Sequence, residues 1–224
     1  MRPTLYVLCI ALLALAGCGG GNGAGAGSAS TAASTPSSAG ITCKKVAAPE
    51  PKGAQHLSKP TATLPAGKRY DVDLQTNCGT ITIRLATGRA PKTSASVANL
   101  VKRGFYDGLT FHRVVHDFVI QGGDPLGTGL GGPGYTVVER PPPDTAYTTG
   151  IVAMAKTEAD PSGASGSQFF IVTAPDAGLP PDYAVAGGVV RGMDVAQYID
   201  KLPVDDQDRP ISPVVIEKAT LRTG

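Results

Sequence analysis

The stretch that decides the fold lies at residues 111–125 and reads Phe-His-Arg-Val-Val-His-Asp-Phe-Val-Ile-Gln-Gly-Gly-Asp-Pro. Its apolar spacing predicts two short strands joined by a turn. Because side chains alternate between the faces of a strand, we expect Phe111, Arg113 and Val115 on one face and the residues between them on the other. A cation flanked in this way is either an edge charge or a site residue. The paired glycines that follow allow a sharp turn or a close approach by a ligand.

A second block supports the site interpretation. It reads Gly-Ile-Val-Ala-Met-Ala-Lys at residues 150–156 and Ser-Gln-Phe-Phe-Ile at residues 167–171. In order and separation, the two blocks closely resemble the signature of cyclophilin-type peptidyl-prolyl isomerases, and a weaker likeness covers the chain from Tyr70 to Leu221. The resemblance implies a mainly β fold, a closed eight-stranded antiparallel β-barrel capped by two α-helices.

The rest of the chain predicts the same class, since many short strands with two helices favour a closed barrel whose helices cover its ends. The predicted elements are a β-hairpin at residues 70–85 with its turn at Asn77-Cys78-Gly79, a helix from Pro91 to Arg103 capped by Gly104, a helix from Val195 to Leu202 ended by Pro203, and a closing strand from Pro213 to Leu221.

The N-terminus predicts export and lipid attachment. Residues 5–15 form an apolar run after Arg2, and this run is shorter than the about 20 residues of a membrane-spanning helix. We therefore interpret residues 1–17 as a signal peptide. Residues 15–18, Leu-Ala-Gly-Cys, resemble the bacterial lipobox, which implies a lipid on Cys18 and a position on the outer face of the bacterial cytoplasmic membrane. Ordinary cleavage near Ala16 with a free Cys18 is the alternative.

Three segments follow the signal peptide. Residues 18–40 are almost wholly Gly, Ala, Ser and Thr, a composition typical of a flexible tether. Residues 41–67 form a Pro-rich pre-domain segment, and residues 68–224 form the predicted isomerase domain. Once Cys9 is removed and Cys18 is lipidated, Cys43 and Cys78 are the cysteines that remain. Outside the cytoplasm such a pair favours a disulfide, and two buried reduced thiols are the alternative.

Composition excludes other classes of function. The formal net charge is +2, which becomes +1 when Arg2 leaves with the signal peptide (19 basic against 18 acidic residues). A net charge so close to zero does not indicate a basic surface of the kind that binds nucleic acid. A solute-binding lipoprotein needs two lobes, which a domain of this size does not supply.

Three local patterns fail as cofactor, metal or nucleophile sites. Residues 127–132, Gly-Thr-Gly-Leu-Gly-Gly, match a dinucleotide fingerprint, but Pro-Gly follows where a helix is required. His112 and His116 are four apart in a strand-and-turn pattern rather than on a helix, so we predict no metal. The serines among glycines at 162, 165 and 167 lack a hydrolase-like Ser-His-acid order and predict a mobile loop.

The resemblance implies the site residues. The catalytic set is Arg113, Phe118 and Gln121, with Arg113 donating to the substrate as the imide nitrogen's lone pair localises. The implied substrate-binding residues are His112, Val119, Ala155, Lys156, Gln168, Phe170, Leu179 and Tyr183. In the Phe-Phe pair we expect Phe169 to point into the barrel and Phe170 to face the groove.

The chain departs from the family pattern at three positions. Gly178 and Tyr183 stand where many members have tryptophan and histidine, and Lys156 stands where many have asparagine. Because the family's indole contacts cyclosporin, we expect binding of that drug to be weakened.

The sequence thus favours a monomeric, cofactor-free isomerase for proline-containing segments of exported polypeptides, attached to the membrane by its N-terminal lipid. The alternative is a non-catalytic chaperone lipoprotein that binds proline peptides in the same groove. The presence of the arginine and the glutamine favours the enzyme.

Overall fold

The computed structural model describes residues 40–224 of the chain. These residues contain ten strands and two helices. The signal peptide, Cys18 and almost all of the predicted tether lie outside these residues. The strands are β1 (Tyr70–Thr76), β2 (Gly79–Leu85), β3 (Leu109–Val115), β4 (Val119–Gly122), β5 (Val137–Val138), β6 (Ile151–Met154), β7 (Ala164–Ser165), β8 (Phe169–Val172), β9 (Val185–Arg191) and β10 (Val215–Thr223). The helices are α1 (Pro91–Lys102) and α2 (Met193–Asp200).

Eight of the strands close into an antiparallel barrel. Their order around it is β1-β10-β3-β4-β8-β6-β9-β2, and β5 and β7 form a separate two-stranded sheet. The predicted eight-stranded antiparallel barrel with two helices is confirmed. Neither helix in residues 40–224 has the length and hydrophobicity that crossing a membrane requires.

The barrel strands separate two apolar clusters. The main core contains Phe169 and the helix residues Leu100 and Ile199, so both helices cover the barrel with buried side chains. The second cluster contains Phe170 and its neighbours on β4 and β6. The prediction that Phe169 faces the barrel interior and Phe170 the opposite side of β8 is confirmed, and it follows from strand alternation.

Prolines explain where α1 begins and where α2 ends. α1 starts at Pro91, and a carboxylate from a distant segment caps it, since Glu139 accepts the N–H groups of Lys92 (3.1 Å) and Thr93 (2.8 Å). α2 ends at Asp200 rather than at the expected Leu202. Leu202 precedes a proline, and the ring of that proline disfavours the helical conformation in the residue before it.

The expected alternation on β3 is wrong at one position. The pairing of β3 with β4 shifts register between Phe111 and Arg113, so His112 is the extra residue of a β-bulge. Phe111 and Val114 are both buried in the main core, whereas the Arg113 side chain is 41% exposed. The bulge therefore places Phe111 and Arg113 on different sides of the strand.

Residues 41–67, which we call the strap, run along the barrel without forming a helix or strand. A disulfide joins Cys43 in the strap to Cys78 in the turn between β1 and β2, which is the predicted pairing. The N–H of Lys44 donates to the carbonyl of Asn77 at 2.8 Å, beside the disulfide. The start of the strap is thus held to the first hairpin.

Candidate active site

Four strands place two of the predicted catalytic residues, Arg113 and Gln121, in one row with the predicted substrate-binding residue Phe170. Arg113 on β3 lies opposite Gln121 on β4, Gln121 lies opposite Phe170 on β8, and Phe170 lies opposite Ala153 on β6. Directly opposed residues in antiparallel strands have Cβ atoms about 4.5–5.5 Å apart. Arginine, carboxamide and aromatic ring are therefore neighbours on one surface, and we call this surface the groove.

The floor of the groove is apolar. Phe170 is 5% exposed and packs in the second cluster with Phe118, Val119, Leu179 and Tyr183, four further residues from the predicted site. The rings of Phe170 and Tyr183 meet edge to face, with centroids 5.5 Å apart. The structure thus brings these aromatic and apolar side chains of the predicted site together in one cluster.

Tyr147 supports this floor from behind, and sequence reasoning missed it. Its hydroxyl donates to the carbonyl of Tyr183 at 2.6 Å and accepts the N–H of Tyr183 at 2.9 Å. Burial raises the pKa of Tyr147, so the phenol stays protonated and can donate. The residue lies in a loop rich in proline and threonine, where no periodic pattern indicates a buried role.

The polar side of the groove is a set of oriented groups. The Nε of Arg113 lies 3.4 Å from a carboxylate oxygen of Asp208. Gln121 donates from Nε2 to Oε1 of Gln168 at 3.0 Å, and Gln168 donates to the carbonyls of Gly129 (2.9 Å) and Gly131 (2.8 Å). Among residues 40–224, Gln121 is thus oriented by Gln168, and Arg113 is oriented by an acidic residue that sequence reasoning did not single out.

Lys156 holds the rim of the groove with its side chain. The side chain is 7% exposed, and its Nζ lies 2.6 Å from the carboxylate of Asp182 and 5.6 Å from the ring centroid of Tyr183. The hydrogen bond from Lys156 lowers the pKa of Asp182. The N–H of the adjacent Ala155 donates to Gln168 O at 2.9 Å. This N–H is therefore engaged within the protein.

His112 lies inside the β-bulge of β3. Both ring nitrogens are buried and have no hydrogen-bond partner in the described part of the chain. Burial lowers the pKa of His112, which favours the neutral imidazole. Its contact with substrate remains a prediction.

The other polar patterns have structural roles. The carboxylate of Asp124 accepts the N–H groups of Leu126, Thr128 and Gly129, so the glycine-rich loop is folded around a carboxylate of its own chain. The expectation of a mobile loop is wrong for Ser165 and Ser167, which are buried and donate to the carbonyls of Val137 and Gly123. Residues 40–224 contain no group of three potential metal ligands.

The arrangement defines a class of protein: a closed eight-stranded β-barrel that presents an arginine, a carboxamide and an aromatic ring side by side on one surface. The sequence comparison identifies the family. The model of the family described as "Cyclophilin type peptidyl-prolyl cis-trans isomerase/CLD" matches residues 71–221. The chain belongs to this enzyme family, its activity is peptidyl-prolyl cis-trans isomerisation, and proline-containing peptides are its ligands.

Relatives and solved structures agree with this assignment. The chain is 42% identical over 153 residues to peptidyl-prolyl cis-trans isomerase-like 1 of Neurospora crassa, covering 66% of this chain and 92% of that protein. It is 44% identical over 153 residues to peptidyl-prolyl cis-trans isomerase ppi1 of Schizosaccharomyces pombe, covering 66% of this chain and 97% of that protein. A crystal structure of a Cryptosporidium parvum cyclophilin-type isomerase matches with a TM-score of 0.64 and 30% identity, covering 69% of this chain and 98% of that one. A second structure of that protein, in the presence of the dipeptide Ala-Pro, matches with a TM-score of 0.63 and 30% identity, covering 68% of this chain and 98% of that one.

Proposed function

We propose that this isomerase acts on proline-containing segments of exported polypeptides while a lipid on Cys18 anchors it to the outer face of the bacterial cytoplasmic membrane. The apolar run, the lipobox-like residues 15–18 and the tether of residues 18–40 support the anchor. The disulfide between Cys43 and Cys78 supports the compartment, because disulfides persist in oxidising surroundings and are rare in the cytoplasm.

The row Arg113, Gln121 and Phe170 is the observation that carries the catalytic mechanism. Rotation about an Xaa-Pro bond passes a twisted state in which amide resonance is lost, over a barrier of about 18–20 kcal/mol. No covalent bond forms or breaks, so neither a nucleophile nor a metal is required. The enzyme has to bind the twisted amide more tightly than either planar form.

The two sides of the groove divide this task. The apolar floor of Phe118, Phe170 and Leu179 holds the proline ring while the preceding carbonyl rotates. Arg113, held by Asp208, donates to the imide nitrogen as its lone pair localises. A dipole fixed in a partly dehydrated groove stabilises the twisted state more than water does, because it needs no reorganisation.

Gln121 contributes an acceptor. One N–H of its Nε2 is donated to Gln168, which fixes the amide, and Oε1 accepts a substrate N–H and holds the backbone beside the rotating bond. This role requires the orientation that Gln168 imposes.

The anchor is tested on the full chain expressed in a bacterium with an alkyne-tagged fatty acid. We expect label on the wild type and no label on Cys18→Ser, with the variant released from the membrane fraction. Protease added to intact spheroplasts should digest the wild type. Label that persists in Cys18→Ser, or protection from the protease, would contradict the anchor or its outward orientation.

Catalysis is tested on the purified full chain in detergent with short Xaa-Pro peptides. We expect acceleration by the wild type and a loss of about 100- to 1000-fold in Arg113→Ala, by analogy with removal of a single transition-state donor. Binding of proline peptides without acceleration would favour the non-catalytic chaperone instead.

We further propose that the enzyme is monomeric and binds cyclosporin weakly. Gly178 is exposed at the rim, where many family members place an indole. Gly178 has a φ of 62°, so a side chain there strains the backbone. We expect Gly178→Trp to lower the cyclosporin concentration needed for inhibition, and an unchanged or higher concentration would argue against this explanation.

The oligomeric state is tested by analytical ultracentrifugation, in which we expect a single species of monomer mass.

A further inference from the structure

The strap is fixed against the loop beside the groove. The N–H of Lys52 donates to Pro125 O and the N–H of Leu57 donates to Pro133 O, both at 2.8 Å. The Nζ of Lys52 donates to the carbonyls of Gly104 (3.1 Å) and Phe105 (2.9 Å). Strap residues 52–57 are therefore tied at both ends to the glycine-rich loop of residues 125–134.

The contact in the middle of this span is close. A Cβ atom on Gly134 would lie 2.4 Å from the carbonyl oxygen of Gln55, and Gly134 has a φ of 88°. Only glycine permits the strap and the loop to approach in this way. The position of Gln55 is thus determined by the loop of residues 125–134, although Gln55 itself lies outside the range 71–221 that matches the family.

Strap and groove share an open cavity of about 520 Å³. Its lining includes Ala54 and Gln55 from the strap, Gln121 and Gln168 from the groove, and Lys156 and Asp160 from the opposite wall. Because Gln121 belongs both to this cavity and to the catalytic row, a peptide with its proline in the groove brings a neighbouring side chain to the cavity.

The side-chain donors of Gln55, Gln168 and Lys156 are already engaged. Gln55 donates from Nε2 to the carbonyls of Lys52 (3.0 Å) and Gly53 (3.2 Å). Gln168 Nε2 donates to two loop carbonyls. The Nζ of Lys156 donates to the carbonyls of Thr157 and Asp160 and pairs with Asp182.

Apart from the second N–H of Gln121, these side chains offer acceptors to a ligand. An amide nitrogen has two hydrogens and an ammonium has three, so the contacts above use the donors of Gln55, Gln168 and Lys156. The Oε1 atoms of Gln55 and Gln121 and the carboxylate of Asp160 have acceptor capacity beyond these contacts.

We propose that the strap is a wall of the substrate site and that Gln55 is a specificity-determining residue, which favours client peptides with a hydrogen-bond donor, such as lysine or glutamine, on the side chain that enters the cavity. The inference rests on the isomerase activity and is independent of the membrane anchor. Acceptor-only side chains such as glutamate face the oxygens of Gln55, Gln121 and Asp160, and are disfavoured.

The experiment measures kcat/KM for the full chain in detergent on peptides in which each residue near proline is varied in turn. Glutamine against glutamate is an isosteric comparison of donor with acceptor, and lysine against methionine compares a donor with an apolar chain. A peptide with alanine on both sides of proline reports the activity that does not depend on a side chain in the cavity. At the position that enters the cavity we expect a preference for the donor of about two- to tenfold per hydrogen bond.

Variants locate the preference on the strap. Gln55→Leu should reduce the donor preference by about two- to tenfold. Gln55→Lys should reverse the order of glutamine and glutamate. The matched control Lys59→Gln changes an exposed strap residue that does not line the cavity, and it should behave as wild type. Thermal melts confirm folding of each variant.

Two results would overturn the inference: a wild type that does not discriminate at any position, or a donor preference that survives in both Gln55 variants. A wild type that does not accelerate even the alanine-flanked peptide would instead contradict the isomerase activity itself.

Discussion

The guanidinium of Arg113 and the carboxylate of Asp208 form an ion pair, with 3.4 Å between Nε and the nearer oxygen. The pair joins β3 to the loop between α2 and β10. The same loop is held by its backbone, since the N–H of Val114 donates to Asp208 O at 2.7 Å. Asp208 thus positions Arg113, the arginine that we propose as catalytic, from a segment remote in sequence.

Replacing Asp208 by asparagine should lower kcat/KM by about two- to tenfold, because a fixed cation contributes more than one that must be ordered during the reaction. Both side chains are more than a third exposed, so the free energy of unfolding should change by less than about 1 kcal/mol. Peptide isomerisation and urea unfolding give the two quantities. If Asp208→Asn causes the same loss in an Arg113→Ala background, Asp208 does not act through the arginine.

Tyr147→Phe should loosen the floor of the groove. The change leaves the backbone N–H and carbonyl of Tyr183 without their partner, which costs about 1–3 kcal/mol for buried groups. We expect a lower urea midpoint and a higher KM for proline peptides. Tyr183→Phe is the matched control, because it removes a hydroxyl from the same aromatic group but leaves this pair of hydrogen bonds intact. Equal effects of the two variants would contradict the supporting role of Tyr147.

Removing the disulfide should destabilise the protein. It links cysteines 35 residues apart in sequence, and closing a loop of this length reduces the entropy of the unfolded chain by an amount worth about 3–4 kcal/mol. The double variant Cys43→Ser and Cys78→Ser should unfold at lower urea concentration, as should the reduced wild type. A wild type whose urea midpoint is the same with and without reductant would show that the disulfide does not contribute.

The protein should lose stability in acid through the carboxylates of β1. A hydrogen bond from Arg84 lowers the pKa of Asp71, and one from Arg222 lowers the pKa of Asp73. A folded-state pKa below the unfolded value means that the unfolded chain binds more protons, so this stabilisation is complete above the unfolded pKa of about 3.9 and is lost as the pH falls further.

Urea titrations at a series of pH values between about 6 and 2 measure this dependence. Asp71→Asn should be less stable than wild type at neutral pH and should show a shallower loss of stability in acid. Parallel curves for the two proteins would show that Asp71 titrates normally in the folded state.

Much of the fold could be predicted from the sequence because its signals are local. The alternation of residues 70–85 around a tight turn defines the first hairpin, Pro91 defines the start of α1, and the Phe-Phe pair divides core from groove by strand periodicity. The resemblance of two sequence blocks to the family predicted that Arg113, Gln121 and Phe170 share one site. The pairing of β3, β4 and β8 gives the physical reason why these residues are neighbours.

Local sequence signals did not predict the bulge at His112. A bulge inserts one residue without any change in composition, and here it is visible only in the register of β3 against β4. Two-residue alternation therefore assigned Phe111 and Arg113 to one face, and the pairing separates them.

The sequence by itself determined the barrel class and the two helices, since periodicity and turn residues act within a few positions of the chain, and its resemblance to the cyclophilin-type family indicated the chemical groups of the groove. Only the tertiary structure decided which partners orient those groups. Asp208 beside Arg113, Tyr147 beneath Tyr183 and Gln55 at the cavity come from loops and from the strap. Their positions depend on closure of the barrel, which brings together segments that no local pattern connects.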